Sequence, residues 1–328
     1  MGSFRTFEHS VEANENNDNE STVIKRINDE GTFTYIIQRN NEFQYLLERM
    51  PPGDNNMNGS SQCSLKTSSL SSNTSIPSAS NWRSEEKIMF NLNFHSERSE
   101  NSTVATEFLS FFEKSVPNEV PFHLKDLTEM NWYDPFNDNA DPIHKKLVNQ
   151  SAQFQLLQSD AASEDFVKTI IEIFEFCPVP KVKLRFGVVD IVLTETVQGL
   201  PFMFCAFEIK GAAPYDIYYR DKCRIQLAAY LISMALDNDK KLQLVHQRRF
   251  GCQRLYGVLN IGLTPIFYKT DIEDSYIDAI SDNSWKNIPQ LMIKEFTPIE
   301  PYNDREFLNH WSRPILIKSF DALLRKHH

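Results

Sequence analysis

Val182–Thr194 (VKLRFGVVDIVLT) and Pro201–Lys210 (PFMFCAFEIK) are two runs dense in β-branched and aromatic residues, parted by a polar turn around Glu195 to Gly199. Both read as strands, the first bent at Gly187. Alternation along the second puts Glu208 and Lys210 on one face and turns Phe207 and Ile209 the other way, into apolar packing. Asp190 interrupts an otherwise apolar run, where an ionised carboxylate is costly unless paired or bound to metal. If the two strands form a hairpin, Asp190 approaches Glu208.

Working outward, Asp160 is placed to cap a helix from Ala161 to about Phe176, whose Phe166, Val167, Ile170, Ile171 and Phe174 keep a helical period until Pro178 and Pro180. Downstream, Tyr219–Leu236 reads as a helix, and Arg254–Lys269 as strand on either side of a turn near Gly262 to Pro265. The order is helix, strands, helix, strand. Further upstream, Ile143–Leu157 is amphipathic and Trp132–Pro142 is rich in turn signals. Thr103–Lys114 aligns Val104, Phe108, Phe111 and Phe112 on one helical stripe before Pro117. Ser275–His328 reads as helical and irregular, a solvated flank of mixed charge.

Residues 1–82 are rich in Asn, Ser, Asp and Glu, with a Ser-rich run from Ser60 to Ser80, and read as a largely disordered tail ahead of a domain over 83–328. Within the tail, Gly31–Met50 is more apolar, and Phe43, Leu46 and Leu47 have the spacing of a short helix; a loosely packed fragment is the plainer reading. The opening MGSFRT also satisfies the short pattern for N-myristoylation at Gly2, with Thr6 in the required place, which leaves a lipid-anchored form open.

No apolar run approaches the ~20 residues of a membrane-spanning helix, and no secretory stretch leads the chain, so an intracellular protein is expected. Five cysteines without a C-x-x-C pair favour core thiols, Cys177 and Cys205 first, over zinc or iron–sulfur ligation. A net charge of -10 disfavours a protein that coats nucleic acid without specificity. Between Lys181 and Tyr256, however, twelve Lys and Arg face seven Asp and Glu, so positive charge gathers around the candidate site.

Phosphodiester hydrolysis is served by a divalent metal that polarises the phosphate and activates water, held by converging carboxylates beside a cation. Asp190, Glu208 and Lys210 have that composition, although alone they also read as a salt-bridged sheet end. The following helix adds Gln226 and Tyr230, four apart on one face and interrupting an apolar stripe. Taken together, GVVD at 187–190, EIK at 208–210 and QLAAY at 226–230 resemble the PD-(D/E)xK nuclease superfamily, especially RecB-type nucleases with their Q-x-x-x-Y motif. The likeness runs from Ala161 to Lys269, about a third of the chain, and departs from the pattern in having Val rather than Pro before Asp190.

The resemblance implies an α/β, restriction-endonuclease-like core of order αβββαβ, a mixed central sheet flanked by helices, with helical N- and C-terminal extensions. It implies that Asp190, Glu208 and the carbonyl of Ile209 bind Mg2+ or Mn2+, and that Lys210 orients water or stabilises developing charge. Glu164 would be the first-helix carboxylate that joins them, ahead of Glu172. Gln226 and Tyr230 would position the substrate or brace the site. Arg220, Lys222 and Arg224, with Arg248 and Arg249, would track a phosphate backbone. The expected activity is Mg-dependent hydrolysis of DNA. A catalytically inactive fold that binds nucleic acid or protein, and an effector that damages host DNA, stay open beside it.

Overall fold

The structure is a computed structural model that describes residues 76–96, 103–119, 142–197, 199–211, 217–245, 248–282, 284, 287–298, 307 and 312–325, together with four N-terminal strands. The chain divides into two compact units, Met1–Leu70 and Ser71–His328. In the first, β1 (Arg5–Phe7), β2 (Ser21–Ile27), β3 (Phe33–Arg39) and β4 (Glu42–Leu46) form an antiparallel sheet in sequence order. The run around Phe43 and Leu46 is therefore strand, not helix. The Arg39↔Glu42 pairing leaves two residues between β3 and β4, a hairpin spacing that outweighs the helical spacing of three apolar side chains. Gly2, most of the Ser-rich run, Cys63, Trp132–Asp141 and His246 lie outside the described residues.

The second unit is α/β. Its strands are β5 (Leu92–Ser96), β6 (Val179–Leu184), β7 (Gly187–Val197), β8 (Leu200–Lys210), β9 (Cys252–Ile261), β10 (Thr264–Glu273) and β11 (Leu291–Phe296). They form one mixed sheet in the order β5-β11-β10-β9-β8-β7-β6. Its helices are α1 (Ser84–Met89), α2 (Val104–Phe112), α3 (Pro142–Leu157), α4 (Asp160–Ile173), α5 (Ile217–Leu244), α6 (Asp274–Ser281) and α7 (Arg313–Leu324). Among the described residues no helix is long and apolar enough to cross a membrane.

The segment read as one bent strand is two. Leu184 pairs with Gly187, so the chain reverses through Arg185 and Phe186, and β6, β7 and β8 make an antiparallel meander. Helix α5 then carries the chain across the sheet to β9, parallel to β8. This helix lies close to the sheet because β9 has Gly257 beneath it; a Cβ there would come within 2.9 Å of Leu227.

Both flanks add a strand to the sheet as well as the helices expected of them. β11 pairs antiparallel with β10 and parallel with β5, which lies some two hundred residues earlier. Helix α7 is no solvated flank either: Leu316, Ile317, Phe320, Leu323 and Leu324 are buried with Phe174 and Phe267. The unit also begins ahead of Trp82. Ala79 donates its backbone N–H to the Phe186 carbonyl at 2.5 Å, and buried Trp82 stacks on Phe90 at 4.3 Å.

One core, holding residues of α2, α3, α4 and α7, covers one sheet face; a second, built on α5 and α6, covers the other. In α2, Phe108, Phe111 and Phe112 are buried as expected, whereas Val104 is 40% exposed, since it opens the helix ahead of the packed turn. The N-cap of α4 is Ser159, whose hydroxyl accepts from the Ala162 N–H, which leaves Asp160 free for another bond.

Candidate active site

The β7–β8 register pairs Ile191 with Phe207, and one step beyond it Asp190 stands opposite Glu208. Phe207 and Ile209 enter one core while Glu208 points to the α5 side, as strand alternation requires. Asp190 Oδ2 accepts the Ile209 backbone N–H at 2.8 Å, so one carboxylate oxygen is fixed to the neighbouring strand. Glu208 is 1% exposed and ion-paired with Lys210; its Oε1 accepts no hydrogen bond of standard geometry. Burial pushes Glu208 up to about 7 against the pull of Lys210, and the charge of Asp190 adds to the rise. Burial opposes the charge on Lys210, yet Glu208 outweighs it and holds the ammonium above its ordinary range.

Glu164 reaches this group through a lysine. Lys181 Nζ lies 2.7 Å from Glu164 Oε2 and 2.8 Å from Asp190 Oδ1. Lys168 holds the other Glu164 oxygen at 2.9 Å. Burial disfavours the Lys181 charge, but the two carboxylates outweigh it and push its pKa up to about 12. Against its own burial, Glu164 is held below the usual carboxylate range by Lys181 and Lys168. Glu172 is exposed and pairs with Lys146 at 3.2 Å, away from Asp190.

Two residues here escape motif reading. Lys181 stands in β6 just after Pro180 and registers in the sequence only as one more positive charge. Asp160 accepts the Gly211 N–H, which joins the start of α4 to the end of β8 just beyond Lys210. Gly211 is required there, because a Cβ would lie 2.5 Å from the Gln158 carbonyl oxygen. The glycine after EIK was the available signal.

Gln226 and Tyr230 are buried, and Gln226 Nε2 donates to the Tyr230 hydroxyl at 2.7 Å. Burial pushes the Tyr230 phenol up to about 12, helped by the Glu208 charge, so the pair sits within the field of the carboxylates. Arg220 and Arg224, expected on a phosphate backbone, turn instead to β11. Arg220 Nη2 lies 2.6 Å from Glu295 Oε1, and Arg224 pairs with Asp221 and with Glu295, its guanidinium 4.7 Å from the Phe94 ring centre. Glu295 is 6% exposed, and a buried carboxylate recruits cations more strongly than open solvent does. Arg249 is likewise held by Asp239 and Asp278. Lys222 and Arg248 are exposed, with no ion pair among the described residues.

Asp190, Glu208 and Glu164 offer hard oxygen donors of the kind Mg2+ and Mn2+ prefer. Among the described residues no group of three or more His, Cys, Asp or Glu is arranged to hold a metal ion. Lys181 and the Ile209 amide take the two Asp190 oxygens, and Lys210 is ion-paired with Glu208 Oε1. The residues suit the metal in chemistry, provided that Lys181 leaves Asp190 Oδ1. The expected core thiols divide: Cys205 and Cys223 are buried, whereas Cys177, beyond the last turn of α4, is exposed, and none of the four described cysteines is bonded to another.

A cavity of about 700 Å³ lies between β6 and α5, lined by Lys183, Arg185, Lys240, Asp237 and Asp239 among others, and none of Asp190, Glu208 or Lys210 borders it. What singles out the carboxylates is buried charge. No protein-family model matches the chain, and no curated protein matches its sequence.

Proposed function

We propose that this chain is a metal-dependent nuclease of the PD-(D/E)xK type, hydrolysing phosphodiester bonds in DNA. The observation that carries the reading is Glu208, a carboxylate with 1% exposure standing opposite Asp190 and beside Lys210 at the end of β8. A structural ion pair gains little from such burial, whereas a reactive centre uses it to strengthen every charge interaction inside. The element order α4, β6 to β8, α5 and β9 also agrees with the αβββαβ core that the motifs imply.

In this reading Asp190, Glu208 and the Ile209 carbonyl hold Mg2+ or Mn2+, with Glu164 as the first-helix carboxylate. When bound, the metal supplies Lewis-acid polarisation of the phosphate and a lower pKa for the attacking water. Lys210 presents a fixed positive charge toward the anion that develops at phosphorus. The Ile209 amide keeps Asp190 in place, and Asp160 fixes the backbone just after Lys210. Buried Gln226 and Tyr230 are joined within α5, and the Tyr230 ring lies against Gly187 where β7 begins, so the pair braces α5 against the strand that carries Asp190. With Arg220, Arg224 and Arg249 committed to carboxylates, phosphate contacts fall to exposed Lys222, Lys183, Arg185 and Arg248. Free cysteines favour an intracellular setting.

A second reading, a fold that binds without cutting, draws on one observation: an ammonium already lies beside each carboxylate. Incubating the purified full chain with single-stranded DNA, duplex DNA and RNA, in Mg2+, Mn2+ or EDTA, separates the two. Cleavage that needs metal and falls about a hundredfold or more in Asp190→Ala and Lys210→Ala is expected. Wild-type protein that cuts nothing, or variants that cut as well as wild type, would sink the nuclease reading.

A further inference from the structure

Lys181 is placed unlike any other cation near the site. Its ammonium lies between two carboxylates from different elements, 2.7 Å from Glu164 on α4 and 2.8 Å from Asp190 on β7. Its backbone is left-handed, with φ 51°, the one such residue in β6. A left-handed conformation is strained for an L-residue, and a strand has no geometric need of it. Such strain persists where the surroundings hold it, and here the two carboxylates do.

The exits from this arrangement are unequal. Asp190 Oδ2 is tied to the Ile209 amide inside the sheet, whereas Oδ1 is held by Lys181. The Lys181 side chain is 55% exposed, so its ammonium can leave for water without any unfolding of β6. Glu164 keeps a second partner in Lys168 at 2.9 Å, so it stays neutralised when Lys181 goes. Two carboxylate oxygens lose the ammonium, Glu164 Oε2 and Asp190 Oδ1, and of the two residues Asp190 is the one left without a cation.

We propose that Lys181 is the resident counter-ion of the site: its ammonium holds the place on Asp190 that a divalent cation takes, and metal binds only as Lys181 swings out. The proposal rests on the reading of Asp190 and Glu208 as metal ligands. Lys181 acts through Asp190 and is a positioning residue. Without metal it keeps Glu164 and Asp190 from repelling each other, and it sets the metal concentration at which the site fills, since affinity falls by the fraction of molecules in which Oδ1 is free.

The test is Mn2+ binding by calorimetry on the full chain, beside Lys181→Met, Lys181→Gly and Lys181→Arg, each with and without Asp190→Asn. Glycine tolerates the positive φ, so Lys181→Gly removes the ammonium and keeps the backbone. Both neutral variants should bind Mn2+ about tenfold more tightly than wild type if the ammonium occupies Oδ1 in roughly nine molecules of ten. Lys181→Arg should stay near wild type, and Asp190→Asn should remove the binding in every background. In chelator, Lys181→Met should melt below wild type and gain more than wild type does on adding Mn2+. Asp190-dependent binding of equal or weaker affinity in the neutral variants overturns the role of Lys181 and leaves the metal site standing. Binding absent from every variant overturns both.

Discussion

The two ends of β8 meet the same helix by opposite means. Near its start, Asn238 of α5 accepts the Met203 N–H at 3.0 Å and donates to the Met203 carbonyl at 2.8 Å. Gln253 joins by accepting from Asn238 at 3.2 Å and donating to the Ala235 carbonyl at 3.1 Å. Each of these buried groups is neutral and has a partner, and the one charge beside them, the Lys241 ammonium on the Pro201 carbonyl at 2.8 Å, lies at the exposed margin. At the far end, Glu208 is as deeply buried as Asn238 but charged, beside one ammonium, with a carboxylate opposite. Neutral buried networks hold a structure together once every hydrogen bond is made. A buried carboxylate with a like charge nearby instead raises the energy of the fold, a cost that catalytic centres carry and structural joints avoid.

The contrast can be broken at either end. The largest effect is expected from Asn238→Ala, which strands the buried N–H and carbonyl of Met203 and should lower unfolding stability in urea by about 4 kcal/mol. A loss below about 1 kcal/mol would mean that water replaces the amide and that this end is less closed than described.

Next in size is Glu208→Gln, measured with chelator present. Glu208 sits near 7 in the fold against an ordinary value of 4.5, so its favourable contribution is complete below about 4.5 and is lost as pH rises through about 7. Wild type should therefore lose about 3 kcal/mol relative to the variant between pH 4.5 and pH 8. Superimposable pH profiles would show that the charge is not strained. The smallest effect is Tyr230→Phe, which takes the acceptor from Gln226 and should cost about 1 kcal/mol if the pair braces α5. Cleavage that falls far more than stability in that variant would move the pair from brace to substrate contact.

Legibility followed the range of the interactions. The faces of β8 and the buried face of α4 could be read because strand and helix periods lie within a few residues of sequence. Glu208 and Lys210 were legible as neighbours for the same reason, and Asp190 as a charge out of place in an apolar strand. The reversal at Arg185 and Phe186 was missed because no Asn-Gly or Asp-Gly pair marks it. The fate of Arg220 and Arg224 was invisible, since nothing near them in sequence announces a buried Glu295 on β11.

By itself, then, the sequence determined the alternation of helices and strands from 160 to 270, the apolar faces that pack them, and the residue types that can do chemistry at the end of β8. Those follow from local periodicity and the cost of placing charge among apolar neighbours. Only the tertiary structure decided that both flanks add a strand to the sheet, that Lys181 stands between Glu164 and Asp190, and that two arginines turn inward to Glu295. Such contacts join residues far apart in the chain, and a charged side chain goes to whichever opposite charge the fold leaves buried beside it.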